Sequence, residues 1–186
     1  QHLDGKRKEG LEFYKLDPDK KTLLVIGGSL GALSINQAMD AMIETLDQNN
    51  IQLIWQTGKN YTAVHQPKFG MVSAFIENME TVYSAADIIV SRAGAIAITE
   101  LCIVGKPVIL VPSPHVAEDH QTKNAMALVT KNAAILVKDN EAKNKLGTVA
   151  VELLYNELQQ NKLAVNIKSL AKLNAVNDIV TEIIAQ

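Results

Sequence analysis

Gly27, Gly28 and Gly31 fall within one short stretch, Gly27-Gly28-Ser29-Leu30-Gly31-Ala32, between an apolar β-rich run and a long segment of helical period. Glycines let the backbone approach a ligand closely. A helix starting behind them offers free N–H groups and the positive end of its dipole, a chemistry suited to phosphate. A tight turn with Ser29 as the helix N-cap accounts for the same residues. A Walker A loop is excluded, because Ala32-Leu33 follow Gly31 where Lys and Ser or Thr are required. A dinucleotide fingerprint wants a carboxylate at the end of the second strand. Trp55-Gln56-Thr57-Gly58 has none there, which speaks against NAD.

Three further stretches carry polar chemistry. Ser91-Arg92-Ala93-Gly94-Ala95-Ile96-Ala97-Ile98-Thr99-Glu100 again joins a strand to a helix start through small residues. Glu100 lies roughly 7.5 Å along that helix from Ala95 at about 1.5 Å per residue, about a ribose away from an anion at the helix start. There it can accept two hydrogen bonds from a vicinal diol, or it can simply favour the early turns through the dipole. The loop from Val111 to Asp119 delivers His120, Gln121 and Asn124 to another helix start, with His120 and Asn124 on one face. Such amides and an imidazole suit sugar hydroxyls. His115, Glu118, Asp119 and His120 lack a zinc-site spacing, and His120 has no identifiable partner for base catalysis. Last, Phe75-Ile76-Glu77-Asn78-Met79 closes a strand. An apolar slot with free backbone groups would suit a planar base such as uracil, but taken alone these residues are better explained by plain core packing.

The elements that must position these loops follow a regular alternation. Strands are expected at Leu23 to Gly27, Ile51 to Gln56, Met71 to Ile76, Ile88 to Ser91, Val108 to Val111 and Ala134 to Val137. Several are apolar throughout, as in a parallel sheet covered on both faces. Helices are expected at Leu30 to Asp47, Met79 to Ala86, Ala95 to Val104 and His120 to Lys131, then at Glu141 to Gln159 and Lys162 to Ala185. The opening segment reads as a helix and a connector with the turn Asp17-Pro18-Asp19. The alternation predicts an α/β fold, a doubly wound parallel six-stranded sheet, with all strand-to-helix loops along one edge.

Composition removes several classes. At 186 residues, 47% hydrophobic and 20% charged, the chain can bury a core. A net charge of −2 gives no electrostatic case for nucleic acid. Cys102 alone cannot form an internal disulfide, and no apolar run approaches the ~20 residues of a membrane span.

Together the four stretches resemble the MurG family of undecaprenyl-diphospho-muramoylpentapeptide N-acetylglucosaminyltransferases, in order and in spacing, from about Lys21 to Val137. The resemblance implies a Rossmann-like domain, the C-terminal half of a GT-B glycosyltransferase, that holds UDP-N-acetylglucosamine. It implies a connector and helix over 1–20, a UDP-sugar-binding domain over 21–160 and a C-terminal helix over 161–186. By that likeness Gly28, Ser29, Leu30 and Gly31 would meet the diphosphate or sugar, and Phe75, Ile76 and Met79 would form the uracil slot. Ala95, Ile96 and Ala97 would offer N–H groups to the diphosphate, Glu100 would take the ribose, and His120, Gln121 and Asn124 would read the N-acetylglucosamine. The pattern departs at Ala97, where Thr is common, so a hydroxyl near the diphosphate is lost. The resemblance implies no catalytic residue in this stretch, no metal and no cofactor. The lipid-linked muramoylpentapeptide acceptor and the membrane surface would be met by an N-terminal domain, in an enzyme peripheral on the cytoplasmic face of the cell membrane. This stretch alone would bind donor and transfer little. Another GT-B UDP-sugar transferase, a UDP-sugar epimerase-like protein and a non-catalytic nucleotide-sugar-binding module share the same nucleotide features.

Overall fold

A computed structural model of the chain describes residues 6–114 and 119–171. Its elements are α1 (Arg7–Phe13), β1 (Thr22–Ile26), α2 (Leu33–Gln48), β2 (Gln52–Gln56), β3 (Gly70–Ser73), α3 (Met79–Ala85) and β4 (Ile88–Ser91). They continue with α4 (Ala95–Val104), β5 (Val108–Leu110), α5 (His120–Val129), β6 (Ile135–Leu136), a 3-10 turn (Asp139–Glu141), α6 (Ala142–Leu154) and α7 (Glu157–Ser169). The strands form one sheet in the order β3-β2-β1-β4-β5-β6, every neighbouring pair parallel. The expected doubly wound α/β fold is the one found.

The two-residue period of a strand divides the core. Leu23 and Val25 of β1, Leu53 and Trp55 of β2, and Ile88 and Val90 of β4 join the cluster under α2 and α6. Leu24, Ile54 and Ile89 join the opposite cluster, under α1, α3, α4 and α5. Covered on both faces, these strands have no need of polar alternation. Helix α2 meets the sheet through Ile35, Met39, Met42 and Leu46, spaced to fall on one stripe. Leu11 and Leu16 anchor the opening segment in the second cluster, while α7 gives Leu163 to the first and Ile167 to the second.

Most boundaries fall within two residues of the sequence expectation, and three places differ by more. Strand β3 ends at Ser73 rather than Ile76, because the Ser73 hydroxyl accepts from Phe75 N–H (3.3 Å) and donates to its carbonyl (2.8 Å). That turn takes the chain out of the ladder. Helix α2 starts at Leu33 rather than Leu30. The C-terminal helices break at Asn156, whose side chain accepts from Gln159 N–H at 3.0 Å and starts α7. The expected second helix begins inside α7, and its residues 172–185 lie outside the described residues.

Candidate functional site

In a parallel sheet every strand delivers its following loop to the same edge, and a crevice opens where neighbouring strands send their helices to opposite faces. Here that point lies between β1 and β4, paired through Ile26 and Ser91. Helix α2 leaves toward one core cluster and α4 toward the other. The glycine loop 27–32 and the loop 92–94 therefore emerge side by side.

The glycine loop is held from below. Gly28 and Gly31 have φ of +86° and +88°, where a side chain is strained. A Cβ on Gly31 would sit 2.2 Å from Thr57 O, and one on Gly58 would sit 2.1 Å from Gly31 N. Asn36, fully buried, donates to Thr57 O (2.8 Å) and accepts from Trp55 Nε1 (3.0 Å), fixing the surface on which the loop lies. Lys59 N–H donates to Ser29 O at 3.2 Å. Gly28, Ser29 and Leu30 are exposed above. Ser29 does not cap the helix: the N-cap is Ala32, whose side chain cannot. Helix α4 likewise starts from Gly94 without a side-chain cap. Both helices thus present free N–H groups and positive dipole ends beside the crevice.

Gln121 and Asn124 fix the second loop. Gln121 Oε1 accepts from Ser113 N–H (2.8 Å) and Ala93 N–H (3.3 Å), and Asn124 Nδ2 donates to Ala93 O (3.0 Å). Both lone-pair directions of that oxygen are taken, so toward a ligand Gln121 can only donate. Arg92, whose role the sequence leaves open, is a bracket between loops. It donates to Val111 O (3.0 Å), to Ser34 Oγ (3.1 Å) and to the Asp139 carboxylate, to which Ser34 Oγ also donates at 2.5 Å.

The base-slot candidates lie between β3 and the start of α3, and the ribose candidate lies on α4. Phe75 is 60% exposed, Ile76 is buried and Met79 is half-buried. Asn78 between them caps α3 by accepting from Thr81 N–H. Ile76 N–H is already used, donating to Gln56 Oε1 at 2.9 Å. Ala95 and Ile96 are exposed, and Ala97 and Glu100 are half-buried. The Tyr83 hydroxyl pKa is pushed up, first by burial, then by the charge of and a hydrogen bond to Glu100.

A cavity of about 690 Å³ brings Gly31 and Gln121 together with Ser34, Gln37, Arg92 and Lys143. Gly28, Ser29, Leu30, Phe75, Ile76, Met79, Ala95, Ile96, Ala97, Glu100, His120 and Asn124 do not line it, and His120 is exposed at the start of α5. The cavity thus gathers only Gly31 and Gln121 of the residues expected from the sequence. Ser34, Gln37, Asp139 and Lys143 were not singled out in the sequence. The usable signal was positional, since Asp139 opens the turn shortly after β6, as Arg92 opens the loop after β4. Among the described residues no three His, Cys, Asp or Glu side chains gather as a metal site, and His115 and Glu118 lie outside those residues. Among them, too, no helix is long and apolar enough to cross a membrane.

The sequence pattern of the glycosyltransferase family 28 C-terminal domain matches residues 22–183. The chain belongs to that family. Its relatives include the UDP-N-acetylglucosamine–N-acetylmuramyl-(pentapeptide) pyrophosphoryl-undecaprenol N-acetylglucosamine transferase of Flavobacterium psychrophilum, 50% identical over 186 residues, 98% of this chain and 51% of that protein. The enzyme of the same name from Parabacteroides distasonis is 46% identical over 187 residues, 97% of this chain and 51% of that protein. The crystal structure of Acinetobacter baumannii MurG matches with a TM-score of 0.75 at 28% identity, covering 95% of this chain and 53% of that one. This family 28 chain thus spans about half the length of the curated relatives it matches. The family expected from the four motifs is the family found.

Proposed function

We propose that the chain is the donor-binding half of an inverting transferase that moves N-acetylglucosamine from UDP-N-acetylglucosamine to a lipid-linked muramoylpentapeptide during peptidoglycan synthesis. The observation that carries this is the pair of uncapped helix starts, Ala32 and Gly94, flanking the switch point, with Glu100 further along α4. Gly28, Ser29, Leu30 and Gly31, with the N–H groups of Ala95, Ile96 and Ala97, hold the diphosphate. Glu100 takes the ribose hydroxyls, Phe75, Ile76 and Met79 take the uracil, and Gln121, with His120 and Asn124, faces the sugar.

In this reading the acceptor hydroxyl attacks the anomeric carbon, the bond to the diphosphate oxygen breaks, and UDP leaves. The two helix N-termini stabilise the negative charge that develops on it. The domain over 21–160 supplies this half of the cleft. The acceptor and the cytoplasmic face of the membrane are met by the half of the relatives' length that this chain does not span.

Calorimetric titration without divalent metal tests the reading. UDP and UDP-N-acetylglucosamine are expected to bind, the sugar nucleotide more tightly than UDP-glucose, and NAD not at all. Equal binding of NAD, or dependence of UDP binding on added metal, would overturn it.

A further inference from the structure

We propose that Gln56 is a positioning residue that ties the diphosphate loop to the base slot through a single buried carboxamide. This rests on the donor-binding function proposed above. Gln56 ends β2, the strand between β1 and β3, and it is in register with Ile26 on one side and Ser73 on the other. The loops that leave those two neighbours are the glycine loop and the Phe75–Ile76 block. The Gln56 side chain, in a residue only 4% exposed, reaches both. Its Nε2 donates to Gly28 O at 3.3 Å, and its Oε1 accepts from Ile76 N–H at 2.9 Å. No other side chain among the described residues is hydrogen-bonded to both segments.

Two consequences follow for the ligand. Nε2 and Oε1 belong to one rigid planar group, so the separation of Gly28 from Ile76 is set by the width of an amide. A ligand that must span from diphosphate to base meets its two ends at a fixed distance rather than ordering them on arrival. The bond to Oε1 also engages Ile76 N–H, and so fixes how the backbone at Ile76 faces the slot.

The test uses the 186-residue chain and the variants Q56M and Q56E. Methionine fills the same volume with neither hydrogen bond. Glutamate keeps the acceptor for Ile76 N–H and sets an oxygen against Gly28 O. Amide hydrogen exchange at Ile76 should rise at least about tenfold in Q56M and stay near wild type in Q56E, as loss of one hydrogen bond implies. Affinity for UDP should fall about tenfold in Q56M while uridine changes less than about threefold. Q56E should bind uridine as wild type does and lose its gain from the diphosphate. Equal losses for UDP and uridine in Q56M, or unchanged exchange at Ile76, would overturn the proposal. If Q56E does not fold, Q56M decides alone. A wild-type chain that fails to bind UDP, yet whose Ile76 exchange responds to Q56M, would sink the donor-binding function and leave the bridge standing; intact UDP binding with unresponsive exchange would do the reverse.

Discussion

The Arg92 guanidinium is hydrogen-bonded to the Asp139 carboxylate, joining the loop after β4 to the turn after β6 across the end of β5. Both side chains are mostly shielded from water, at 17% and 20% exposure, and Ser34 and Val111 O complete their bonding. Asp139→Ala should leave the guanidinium without its charge partner and cost about 1–3 kcal/mol. Urea denaturation of the two chains checks it. A change below about 0.5 kcal/mol would place the pair with ordinary surface substitutions.

Glu100→Ala should weaken UDP binding by about 1–3 kcal/mol if the carboxylate holds the ribose diol. Comparison with 2′-deoxy-UDP isolates the contact. The deoxy ligand should bind the wild-type chain more weakly than UDP does and bind the Glu100→Ala chain about as well as UDP. A preference for UDP that survives the substitution assigns the ribose elsewhere.

Under the proposed function Gln121 has two separable tasks, clamping the loops with its oxygen and donating to the sugar with its nitrogen. Gln121→Glu keeps the oxygen for Ser113 and Ala93 N–H and removes the donor. It should leave UDP affinity within about threefold and erase the extra affinity for UDP-N-acetylglucosamine. Gln121→Ala should weaken both ligands, because the loop before α4 loses its support. Calorimetry with both ligands reads the difference, and a Gln121→Glu chain that keeps its sugar preference would remove this residue from sugar recognition.

These last two predictions use residues that were visible in the sequence, and the reason is geometric. A parallel sheet sends every strand-to-helix loop to one edge, so apolar runs followed by small or polar residues already named Gly27 to Ala32, Ala95 to Glu100 and the start of α5. What was hidden is the side-chain bonding between loops distant in sequence. Trp55-Gln56-Thr57-Gly58 could be read only for what it lacked, a carboxylate, whereas Gln56 and Gly58 matter for what they touch. Asn156 illustrates the opposite case. With Gln159 three residues on it is a readable capping pattern, and the apolar period running through it masked the break.

Alkaline stability should carry the signature of Tyr61. Its hydroxyl donates to Asp40 Oδ2 at 2.5 Å, and its pKa is pushed up to about 12 by burial and then by that carboxylate. A folded-state pKa above the unfolded value of ~10 means the folded chain holds the proton more tightly. The stabilisation is complete below pH ~10 and is lost as pH rises toward about 12. Tyr61→Phe should flatten the loss of stability across that window, without removing it, since Tyr83 and Tyr14 are also shifted upward. Denaturation midpoints at stepped pH measure it, and parallel curves for the two chains would contradict it.

Gly31 lies where a Cβ on Gly58 would go, and the carbonyl of Thr57 lies where a Cβ on Gly31 would go. The glycine loop and the exit from β2 are thus halves of a joint, cut to fit. A chimera that grafts a loop from a distant relative at residues 27–32 while keeping the native 57–58, or the reverse, would clash at the seam however well the new loop suited its ligand. The unit that can be transplanted intact is the pair.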